Sequence, residues 1–180
     1  MLGILRFSDC SKITDASPLR SCRRLTRLNC SHCLGLDMST LAGCISLECL
    51  TASGCSQLRR LSGFVEGLVG LKTLDLSGCR QLSDMSALAN CTLLHTLMLC
   101  GCPELADVEC LGSCPELQTL CIIGAKELTS VSRLEWHGMI VRMNQWVFIL
   151  FFSVVSLVVC VLVFACFFCL FVCLFVCFVG

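Results

Sequence analysis

The chain has 180 residues, a formal net charge of zero and only 14% charged residues, and every Lys, Arg, Asp and Glu falls before residue 143. Met1 to Lys72 carries nine basic and five acidic residues, and Thr73 to Arg142 carries four basic and eight acidic. The charge is therefore polarised along the chain rather than gathered into the basic stripe that nucleic acid requires. The 19 cysteines would suggest a disulfide scaffold in a short secreted chain, so their positions decide how to read them.

Taken in order, the chain repeats itself. Copies of the pattern L-x-x-L-x-L-S-G-C-x-x-L-x-D-x-S-x-L-x-x-C start at Leu2, Leu25, Leu47, Leu71, Leu94 and Leu117, with spacings of 23, 22, 24, 23 and 23 residues. A fixed period of this length, with leucines at positions one, four and six, is the signature of a leucine-rich-repeat solenoid. No single copy can bury its own apolar face, so the copies must stack and share one core. The fold class predicted is α/β: parallel strands on the concave face, short helical or irregular convex arcs, and an apolar C-terminal helix.

Within each copy, the last three letters of L-x-x-L-x-L alternate with period two and predict a short strand. Leu5 and Phe7, Leu28 and Cys30, Leu50 and Ala52, Leu74 and Leu76, Leu97 and Leu99, and Leu120 and Ile122 are the inward pairs. Gly54, Gly78, Gly101 and Gly124 suit the turn that follows. Asp15 to Ser17 and Asp84 to Ser86 are placed to satisfy backbone donors on the return arc. The second copy is one residue short. The third is one residue long and exchanges its Asp and second Cys for a stretch containing Gly63, Phe64, Gly67 and Gly70.

The repeat accounts for most cysteines. Cys10, Cys33, Cys55, Cys79 and Cys102 share position nine, and Cys22, Cys44, Cys91 and Cys114 precede the next copy. Free cysteine behaves as a small apolar residue, so both sets are expected inward and reduced, which needs a reducing compartment. Met1 to Cys10 already reads as a repeat strand, with no secretory leader before it.

After Leu134 the pattern decays. Residues 147 to 179 contain no charge, and 29 of these 33 are Phe, Val, Cys or Leu, more than the roughly 20 apolar residues a membrane span needs. Lys126, Arg133 and Arg142 lie on its N-terminal side, which would keep the repeats cytosolic, and Cys160 to Cys177 are candidate lipid acceptors. A competing reading comes from Cys169 to Cys177, which runs C-L-F-V-C-L-F-V-C. A TGTT repeat in DNA, read in triplets, translates to that unit. The expected organisation is repeats over 1–136, a linker over 137–146 and the apolar tail over 147–179.

Leu71, Leu74, Leu76, Ser77, Gly78, Cys79, Leu82, Asp84, Ser86 and Leu88 carry a resemblance. Leu2 to about Leu134 resembles the cysteine-containing leucine-rich repeats, and among them the kinetoplastid repeat proteins of the adenylate-cyclase-regulatory type. The resemblance implies a curved interaction surface and a regulatory role without naming a partner. The chain lacks the family's N-terminal domain or cap and a RING-like cysteine/histidine set, and so looks like a fragment of such a protein.

Chemistry is poorly marked. Cys30 and Cys33 form one C-x-x-C and Cys166 and Cys169 another, but structural zinc wants four convergent ligands. His32, His95 and His137 stand at different repeat positions, and Gly63 to Gly70 lacks the Lys-Ser/Thr of a phosphate loop. No enzyme activity, metal, cofactor, nucleic acid or small-molecule substrate is expected. The candidate partner-binding residues are the outward strand positions. Arg6, Asn29, Thr51, Asp75, Met98 and Cys121 form one row, and Ile4, Arg27, Cys49, Thr73, Thr96 and Thr119 its neighbour. The expected function is a non-enzymatic protein-interaction module. Two alternatives stand beside it: a regulator anchored in a membrane through residues 147–179, and the product of a decayed repeat gene.

Overall fold

A computed structural model describes residues 3–128 and, as backbone, 140–143 and 146–149. Six three-residue strands recur at the predicted places: β1 Ile4–Arg6, β2 Arg27–Asn29, β3 Cys49–Thr51, β4 Thr73–Asp75, β5 Thr96–Met98 and β6 Thr119–Cys121. Each pairs in parallel with the next, and the register aligns the repeats position for position: Leu5, Leu28, Leu50, Leu74, Leu97 and Leu120 lie side by side. The chain returns through short 3-10 arcs at Ser17–Ser21, Met38–Gly43, Val65–Gly67, Ser86–Asn90 and Glu109–Ser113.

The inward leucines make one continuous core. Leu28, Leu50, Leu74, Leu97 and Leu120 are buried, as are Cys30, Ala52, Leu76, Leu99 and Ile122 two residues on. Burying one such leucine is worth about 1.5–3 kcal/mol, and the ladder supplies several per copy. The first copy has a neighbour on one side only, and there Leu5, Phe7, Cys10 and Cys22 are half-buried against the core.

Local chemistry sets the corners. The residue at position eight of each copy takes a left-handed backbone, with φ of 72° at Gly78 and 76° at Gly101. In the first two copies the same corner is filled by Asp9 (φ 61°) and His32 (φ 58°), at the cost of crowding a Cβ. At the far end, Asp15 accepts from the Ser17 N–H (2.7 Å), Asp37 from Ser39 (2.9 Å), Asp84 from Ser86 (2.9 Å) and Asp107 from Glu109 (2.6 Å). Each carboxylate thus satisfies a donor that the first turn of the arc leaves free.

Two further strands extend the sheet. β7 (Ile140–Met143) adds in parallel to β6, and β8 (Trp146–Ile149) folds back antiparallel on β7. This corrects the expected apolar helix at its start, because Val147 to Ile149 are extended and paired. The backbone donors that a helix would satisfy internally are here taken by a neighbouring strand. The rest of the expected tail, 150–179, lies outside the described residues. Among the described residues no helix is long and apolar enough to cross a membrane.

Candidate partner-binding face

The strand register brings the two predicted rows together. Ile4, Arg27, Cys49, Thr73, Thr96 and Thr119 are successive register partners, as are Arg6, Asn29, Thr51, Asp75, Met98 and Cys121. β7 continues the rows with Ile140 and Arg142. Ile4, Arg6 and Arg27 are exposed, and the remaining candidates from Asn29 to Thr119 are half-buried. Among the described residues, the backbone of each strand lies close only to that of neighbouring strands, and no described arc lies over this face.

Several of these side chains are already engaged. The Asn29 carbonyl oxygen accepts from Ser8 Oγ (3.0 Å), Ser31 N–H (3.0 Å) and Ser31 Oγ (2.8 Å). Asp75 accepts from the Ser77 N–H at 2.9 Å. At the strand entrances, Lys72 Nζ sits 3.0 Å from Glu48 in the preceding copy, with both side chains about half exposed (50% and 49%). His95 Nδ1 lies 2.6 Å from the Leu93 carbonyl, which can only accept, so Nδ1 carries the proton. His95 Nε2 faces Glu116 at 4.0 Å.

Cys121 departs from its expected place. It is buried, and it forms a disulfide with Cys100, with Cα atoms 5.8 Å apart. The two stand 21 residues apart, the same separation as Ser8 and Asn29. In both cases position seven of one copy reaches diagonally to position five of the next. Neither cysteine belongs to the two sets expected to be reduced, all of which are free thiols. The signal for the bridge was present in the period, since a cysteine at position seven followed 21 residues later by one at position five must meet on a parallel sheet.

The ladder cysteines behave differently. Cys33 Sγ donates to Phe7 O (3.0 Å), Cys79 to Ala52 O (3.4 Å) and Cys102 to Leu76 O (3.3 Å), and Cys55 reaches Cys30 O (3.6 Å). Each thiol thus closes onto the strand-end carbonyl of the copy before it, a role that leucine or alanine could not fill. Burial, reinforced by neighbouring thiols, pushes Cys79 up to about 12 and Cys91 to about 11. Burial likewise raises Cys33, Cys44, Cys55 and Cys102. Held neutral, these groups are structural donors and poor nucleophiles. Cys30 and Cys33 are both buried, Cys30 bonding to Thr51 O at 3.7 Å. Among the described residues, no three His, Cys, Asp or Glu side chains converge to hold a metal ion.

No protein-family model matches the chain, and no curated protein matches it. Among solved structures, it is similar to an internalin, InlF, from Listeria monocytogenes, at 27% identity and a TM-score of 0.63, over 76% of this chain and 39% of that one. It is also similar to internalin C2 from the same organism (23% identity, TM-score 0.47, 73% of this chain and 67% of that one). A third similarity is to a domain of InlJ, also from Listeria monocytogenes and described as including a cysteine ladder (19%, TM-score 0.44, 62% and 27%). The chain spans well under half the length of InlF. These similarities carry nothing on the kinetoplastid resemblance. The 23-residue period, the parallel strand ladder and the likeness to InlF agree: the chain has the fold of a leucine-rich-repeat solenoid.

Proposed function

We propose that the chain is a non-enzymatic protein-interaction module that receives its partner on the strand face. The observation that carries this reading is the pair of unbroken side-chain rows, in register over six strands, on a face that no described element covers. A row of short Thr side chains with basic residues at one end offers hydrogen bonds and charge without burying them. The likeness to an internalin, another leucine-rich-repeat protein, supports the class and names no partner for this chain.

A photo-crosslinking residue at Thr73 or Thr96 tests it in cells. A discrete adduct of one mass is expected from these positions and none from Asn90 on the opposite arc. Equal adducts from Asn90, or none from the strand positions, would refute the strand-face assignment. A second reading, anchoring of the module in a membrane, rests on the uncharged run 147–179. Under that reading the full chain resists carbonate extraction from membranes.

A further inference from the structure

One break in the repeat pattern creates a cavity. The aspartate that caps the arc in the first, second, fourth and fifth copies is replaced in the third by Arg60, whose backbone pairs with Asp84 of the fourth. Neighbouring copies are tied at this level at two junctions. Asp37 N–H donates to Thr14 O at 2.9 Å between copies one and two, and Ser83 N–H to Arg59 O at 3.0 Å between copies three and four. Among the described residues no such bond joins copies two and three, nor four and five; what sets the former apart is Arg60 in place of the capping aspartate. Copies two and three meet on either side of the gap, through paired strands β2 and β3 and through Gly67, which lies hard against the Ala42 carbonyl.

The space between is about 360 Å³, within the range of ligand sites. Leu36, Met38, Leu58 and Phe64 supply its apolar wall, and Phe64 is fully buried behind it. Leu34, 49% exposed, stands at the rim with Arg59, Arg60 and Ser62. Arg59 is spoken for, with Nε donating to Gln81 at 3.0 Å. Asp37, the one acid in the lining, already accepts from Ser39. Among the described residues the Arg60 guanidinium makes no hydrogen bond or ion pair. Its charge acts on the Asp84 carboxylate of the next copy without a direct contact, so its donors are free, and an apolar hollow with such an arginine at its mouth is complementary to an apolar group that carries a carboxylate.

We propose that this cavity is a second binding site, taking an acidic peptide segment of a partner protein, with an apolar side chain seated in the hollow and an adjacent carboxylate on Arg60. A peptide suits the geometry because the rim residues stay open to solvent, which leaves room for the backbone that presents the side chain. The site lies on the arc side of the repeats and is independent of the strand-face reading.

The test is selection from a phage-displayed random heptapeptide library against the full chain in phosphatidylcholine nanodiscs, with empty nanodiscs as counter-selection. Enriched peptides are expected to share Asp or Glu beside a large apolar residue. Their affinity should fall about 10-fold on Arg60→Gln, which removes the charge without setting a second carboxylate beside Asp84. Leu34→Glu, at the exposed rim, should weaken them by a comparable factor, while Thr73→Glu on the strand face leaves them unchanged. Peptides without an acidic residue, binding indifferent to both cavity variants, or no enrichment over empty nanodiscs would each overturn the proposal.

Discussion

At the scale of single residues, orientation decides cost. Leu74 and Leu97 are fully buried in the middle copies, whereas Thr73 and Thr96, their immediate neighbours, face the open side of the sheet. Leu74→Asp or Leu97→Asp places a charge without a partner in the shared core and should destabilise the fold by about 4 kcal/mol. Thr73→Asp or Thr96→Asp should cost under about 1 kcal/mol. Urea titrations of the four variants check this, and equal midpoints would mean the strand faces are reversed. The corner residue gives a second contrast. Asp9 and His32 hold a left-handed backbone that glycine occupies in later copies. Asp9→Gly should therefore stabilise by about 0.5–1 kcal/mol, and Gly78→Ala, at φ 72°, should destabilise by about 1 kcal/mol or more. Thermal melts would show the two shifts in opposite directions.

At the scale of one element, the thiol ladder links stability to alkaline pH. Cys79, Cys91, Cys110 and Cys114 are held neutral in the fold, with pKa values pushed from 9.0 up to about 12, 11, 12 and 11, chiefly by burial. A folded pKa above the unfolded value means the folded state holds its proton more tightly. That contribution is complete below about pH 9 and is lost as pH rises towards 11–12. Urea midpoints should therefore fall steadily above pH 9, and Cys79→Ser should flatten part of the slope. A midpoint constant to pH 11 would show that the thiols ionise in place. Alkylation with iodoacetamide at neutral pH gives the kinetic counterpart: Cys33, Cys55, Cys79 and Cys102 should react slowly until denaturant is added.

At the scale of the whole molecule, the 23-residue period made most of the architecture readable beforehand. Leucine at positions one, four and six can satisfy burial only by stacking, so the strand positions, the inward residues and, Cys121 apart, the two outward rows followed. What the period could not show was set by contacts between copies. The cavity between copies two and three is one such feature, whereas the Cys100–Cys121 bridge was legible in the period as a 21-residue diagonal and went unread. β7 and β8 were missed because Ile140 to Ile149 no longer carries the leucine spacing, while edge pairing to β6 needs only a free backbone. Each copy touches only its neighbours, so opening should begin at the ends. Hydrogen exchange should be fastest in β1 and slowest in β4 and β5. Uniform exchange across β1 to β5 would indicate a single cooperative unit instead.

The position-nine thiol bonds between copies run one way, from Cys33, Cys55, Cys79 and Cys102 back to the end of the strand segment in the copy before. That gives the array a polarity, like a row of tiles in which every tile locks the one laid earlier. A copy brings its own lock, and needs nothing from its predecessor except a bare carbonyl. Middle copies are therefore interchangeable units. Repeating residues 71–93 once more in tandem should insert cleanly, since the duplicate's cysteine closes onto the carbonyl at the Leu76 position of the copy ahead. The sixth copy carries Ala125 where that cysteine would stand, so it brings no such lock, and among the described residues no thiol reaches the Leu99 carbonyl. The series of locks ends at the copy that the Cys100–Cys121 bridge fastens to the array, and covalent attachment takes over where the repeated hydrogen bond stops.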